Sequence, residues 1–67
     1  MGIKQMKENY DLLMALKIEP KSLNLAGTYV RNIINNFNFE TLTMAEHNLA
    51  LDYIEDALSR YRQIRGR

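Results

Sequence analysis

Apolar side chains recur along this chain at intervals of three and four residues, the period of a helix that buries one side. Ile3, Met6, Tyr10 and Leu13 form the first such stripe, with Met14 beside it, while Lys4, Lys7, Glu8 and Asp11 fall elsewhere. The pattern predicts a helix over about residues 3–18. Pro20 closes it, because the residue before a proline is pushed out of the α region. Leu25, Ala26, Tyr29, Val30, Ile33 and Phe37 share the expected core face of a second helix over about residues 22–36. Ser22 stands where an N-cap belongs. Asn32, Asn35, Asn36 and Asn38 make the far end turn-prone, since asparagine competes for backbone hydrogen bonds.

The third segment carries the clearest start signal. Thr43 followed three residues later by Glu46 is a capping box, and Leu42 is placed to staple onto His47 or a nearby apolar group. A helix over about residues 44–64 follows. Met44, Leu51, Ile54, Leu58 and Tyr61 are expected on its core face, with Ala50, Ala57 and Ile64 alongside. Asp56 and Arg60 are spaced for an i, i+4 ion pair. Gly27 weakens the second helix by ~1 kcal/mol relative to alanine, unless it admits a close neighbour.

No segment alternates as a strand does. The expected fold is all-α and a single domain over residues 1–67. Two forms fit: an up-down-up three-helix bundle, or a helical hairpin whose core is completed by dimerisation. In both the C-terminal helix is the longest, at about 30 Å, so its last turns are expected to project. A chain this short buries a modest core, which makes self-association an expected source of stability.

Charge adds one asymmetry to this picture. The formal net charge is +1, but residues 60–67 hold four arginines and no acid, whereas residues 1–59 hold five basic and eight acidic side chains. There is no cysteine and one histidine, so neither a disulfide framework nor a structural zinc site is expected. The longest apolar run, Leu12–Leu16, is far short of the ~20 residues a membrane span needs. The first ten residues lack the apolar stretch of a secretory signal. Lys4, Lys7 and Lys17 are diluted by Glu8, Asp11 and Glu19, which argues against a membrane-surface helix. A cytoplasmic protein is expected.

Candidate chemistry is sparse. The three glycines are far apart, so no phosphate loop is present. Ser22, Ser59 and His47 have no spacing that brings them together. Glu46–His47 lacks a second histidine one turn on, where Leu51 stands. Asp52, Glu55 and Asp56 read as a solvated helix face. No enzyme activity, cofactor, metal or small-molecule substrate is therefore expected.

The expected function is that of a small, non-catalytic interaction or regulatory protein. Leu12, Leu16, Leu49 and Tyr53 fall outside the main stripes. Leu16, Leu49 and Tyr53 are the expected contact residues, for a partner protein and for a homodimer. The alternative is a nucleic-acid-binding regulator. It would use Arg60, Arg62, Arg65 and Arg67 on phosphates, or Thr28, Arg31, Asn35 and Asn38 of the middle helix on bases. At 100° per residue the arginines do not form one stripe: Arg60 and Arg67 share a side, and Arg62 and Arg65 lie on another.

Overall fold

A computed structural model describes residues 2–38 and 40–66. All the regular structure among the described residues is helical, with no strand. Helix α1 spans Ile3–Ala15, a 3₁₀ turn spans Pro20–Ser22, α2 spans Leu23–Asn35 and α3 spans Met44–Arg65.

Helix α1 stops three residues before its expected end. Leu16 is extended (φ −70°, ψ 144°), and its N–H donates to the Leu13 carbonyl. Glu19, ahead of Pro20, is extended as well (φ −151°, ψ 155°), as the proline ring demands. The early stop lets Leu16 and Ile18 fold back against the core. Ser22 does not cap α2 through its side chain. The 3₁₀ turn that Pro20 opens runs straight into the helix, so Ser22 is already in the α region (φ −83°, ψ −7°) and is buried.

The start of α3 is as expected. The Thr43 N–H donates to Glu46 Oε1 at 2.9 Å, and the Glu46 N–H donates to Thr43 Oγ1 at 3.2 Å. Thr43→Ala removes one acceptor from the first turn. It should cost about 1 kcal/mol and lower the Tm by roughly 4–8 °C, read by thermal unfolding followed by circular dichroism.

The three helices pack against one another around one apolar cluster: Met6 and Leu13 from α1, Ala26, Val30 and Ile33 from α2, and Ala50, Ala57 and Ile64 from α3, with Leu42 from the connection. Two expectations about faces are corrected here. The buried line of α3 runs through Ala50, Ala57 and Ile64, while Met44 is 75% exposed and Leu51 50% exposed. The two lines are each spaced by seven and are one residue, or 100°, apart. Leu25 is likewise half exposed rather than part of the α2 core face. The small alanines allow α3 to sit close to both partners. At Gly27 a Cβ would lie 3.7 Å from Tyr61 Cε1, an ordinary van der Waals contact, so the Tyr61 ring lies over this position but leaves room for an alanine.

Side-chain contacts fix the directions of the helices. Gly27 meets Tyr61 and Phe37 meets His47, with ring centroids 6.0 Å apart, so α2 runs antiparallel to α3. Tyr10 meets Tyr53 at 4.8 Å between centroids, and Met14 shares a groove with Arg60 and Gln63, so α1 runs parallel to α3. Tyr10 also donates its phenol hydrogen to Asp56 Oδ2 at 3.1 Å. Burial, followed by the Asp56 carboxylate, raises its ionisation above the ordinary tyrosine value of 10.0. Asp56 is thus held by Tyr10. The ion pairs among the described residues are Lys7–Asp11 and Lys21–Glu19, and the expected Asp56–Arg60 pair is not among them.

Candidate functional site

The residues expected to make contacts are scattered by the fold. Leu16 and Tyr53 are partly buried and packed against the core, and Tyr53 turns its ring toward Tyr10. Of the three expected interface residues only Leu49 is fully on the surface, 43% exposed. Arg60 is half-buried, Arg62 and Arg65 are exposed, and Arg67 lies outside the described residues.

A different apolar surface emerges along the seam of α1 and α2. Asn32 Nδ2 donates to Asn9 Oδ1 at 3.1 Å and so pins the relative register of the two antiparallel helices. Leu12 lies three residues after Asn9, and Tyr29 lies three before Asn32. Leu16 and Leu25 lie seven residues along in the same senses. In an antiparallel pair equal steps from a common rung stay level, at 1.5 Å per helical residue. By that count Leu12 is level with Tyr29, and Leu16, the extended residue that ends α1, is near the level of Leu25. Leu12 and Leu25 are each 50% exposed, and Leu16 and Tyr29 are half-buried beneath them. These four side chains make a two-rung apolar ladder on the outside of the seam.

Leu25 and Tyr29 belong to this ladder although their spacing assigns them to the core face of α2. Spacing identifies a helix's apolar arc but not which edge of the arc a neighbour covers. The other exposed apolar groups, Ile34, Met44, Leu49 and Leu51, are spread over α2 and α3.

Charge is also gathered by the fold. Because α2 starts beside the end of α3, the turn that precedes it lies at the same end of the molecule, and the 3₁₀ turn contacts α3 directly. Lys17 and Lys21 thereby join Arg60, Arg62 and Arg65. An open groove of about 310 Å³ at the opposite end is lined by Ile3, Lys4, Asn35, Asn36, Leu42 and Glu46. Its Glu46 carboxylate is already engaged by the α3 cap. No three or more His, Asp or Glu side chains among the described residues are grouped to hold a metal ion, and no described helix is long and apolar enough to cross a membrane.

No family model, curated protein or solved structure matches the chain.

Proposed function

We propose that this is a small, non-catalytic helical interaction protein that docks the α1–α2 seam on a partner protein and on a second copy of itself. The reading takes the three helices as an up-down-up bundle that acts as one unit. A single observation carries it: Leu12 and Leu25 are each 50% exposed on the two helices that the Asn9–Asn32 hydrogen bond joins. Isolated surface leucines are ordinary, but apolar groups adjoining across two elements mark contact sites. A stable interface covers about 800 Å² per partner, against 4706 Å² for the whole molecule. The ladder would form the centre of such a patch, with Asn32 and Glu8 toward its rim. Of the contact residues read from spacing, Leu16 keeps its place in this proposal, whereas Leu49 and Tyr53 do not.

The test joins sedimentation velocity to site-specific cross-linking. Wild-type protein should gain weight-average mass with concentration across the micromolar range. Leu12→Glu/Leu25→Glu should weaken that association by at least about thirty-fold, the effect of losing roughly 2 kcal/mol at a contact centre. Its helical spectrum should be unchanged, because both positions are half exposed. A photoreactive residue at position 25 should capture a defined protein in the native cell, and one at position 35 should not. A protein that stays monomeric at every concentration and yields no adduct from position 25 sinks the proposal.

A further inference from the structure

The charges of this molecule are separated along its length. The end formed by residues 16–22 and 60–66 holds Lys17, Lys21, Arg60, Arg62 and Arg65 against one acid, Glu19, for a net +4. The other described residues hold three cations and seven acids, for a net −4. A net charge near zero hides this. Two stretches far apart in the chain contribute, and only the packing of the 3₁₀ turn beside α3 unites them.

The cations are available to a ligand. Arg60, Arg62 and Arg65 make no ion pair among the described residues. Asp56 accepts from the Tyr10 hydroxyl and makes no ion pair with Arg60, although it keeps its charge and lines the same groove. Lys21 reaches Glu19 at 3.7 Å, but its side chain is 83% exposed, and a pair so exposed adds little and is easily exchanged. Arg62, Arg65 and Lys17 are exposed.

We infer that this end binds the phosphate backbone of duplex nucleic acid, without reading base sequence. Guanidinium groups pair with phosphate oxygens through two parallel hydrogen bonds, and a cluster of cations gains further by releasing condensed counterions. The acidic remainder of the molecule is repelled by the same polyanion, so the approach is end-on. The cross-section is 17 × 15 Å, wide enough to meet phosphates of both strands on one side of a duplex. Single strands are disfavoured because they are usually gripped by exposed aromatic rings, and Tyr10, Tyr29, Tyr53 and Tyr61 are all partly buried against the core. A membrane surface is disfavoured because none of the exposed leucines, Leu12, Leu25, Leu49 and Leu51, falls within the two stretches that carry these cations. This inference is independent of the seam proposal, since the two surfaces share no residue that either test alters.

Fluorescence anisotropy with a labelled random-sequence duplex, at salt from about 50 to 200 mM, tests it. With four to five phosphates neutralised, the log–log slope should be near −4, and affinity should fall about 250-fold over that range. Lys17→Gln/Lys21→Gln and Arg62→Gln/Arg65→Gln should each bring the slope to about −2, with a fall of about sixteen-fold over the same range. Lys4→Gln/Lys7→Gln, at the opposite end, should leave it unchanged. Circular dichroism confirms that each variant is folded. Four results overturn the inference: no binding at about 100 µM protein in about 50 mM salt, a slope unchanged by Lys17→Gln/Lys21→Gln, tighter binding to a single strand of equal length, or preference for vesicles containing anionic lipid.

Discussion

Leu13→Ala is expected to destabilise the protein by roughly 3 kcal/mol and to lower its Tm by roughly 12–24 °C, measured by thermal and urea unfolding. Leu13 is fully buried, in the cluster to which all three helices contribute. Truncation removes its transfer free energy and leaves a cavity that rigid helices cannot collapse to fill. In a domain of this size the total stability is on the order of 3–10 kcal/mol, so the variant approaches the unfolding threshold at ambient temperature. Leu51→Ala supplies the contrast. Its side chain is half exposed, and the change should stay within about 0.5–1 kcal/mol. If Leu51→Ala destabilises as much as Leu13→Ala, α3 is rotated relative to the arrangement described above.

The second large effect runs in the opposite direction of volume. Ala57→Leu should destabilise by about 1–3 kcal/mol and lower the Tm by roughly 4–24 °C. Ala57 is 1% exposed and Ala50 fully buried on the line where α3 meets its neighbours. Three added carbon atoms there must push α3 away from the core or force strained rotamers. Ala45→Leu, on the exposed side of the same helix, makes an equal change in volume and composition and should be close to neutral. Equal stability of the two variants by thermal unfolding would mean that Ala57 is not at a helix contact.

The two predictions separate what spacing can and cannot say. Met6 and Leu13 were legible as core residues because α1 has a narrow apolar arc with charges on either side, so only one orientation buries it. Helix α3 has a broad arc in which Met44, Leu51 and Leu58 compete with Ala50, Ala57 and Ile64. Side-chain size favours the first line, but close approach of three helices favours the second, because alanine lets backbones come near. The capping box was legible for a different reason: it is a local motif whose donors and acceptors lie within four residues. Ser22 carried the same kind of signal, but Pro20 supplied a 3₁₀ turn that made a side-chain cap unnecessary.

The candidate surfaces follow the same division. Leu16 was recognisable as lying off the main stripe, but its partner Leu25 was not, since the match depends on the Asn9–Asn32 register. The arginines at the end of α3 were visible as a run, and on their own helix they fall on different sides. Lys17 and Lys21 change their meaning only after the chain has turned twice.

By itself the order of residues determined that the chain is helical, where its three helices lie and how the last one begins. These depend on side-chain period and on hydrogen bonds between near neighbours, both short in range. Tertiary structure alone decided which edge of each apolar arc is covered, which carboxylate Tyr10 holds, and which cations stand together. Those outcomes depend on distances between residues separated by a fold, and they are set by how closely small side chains permit the helices to pack.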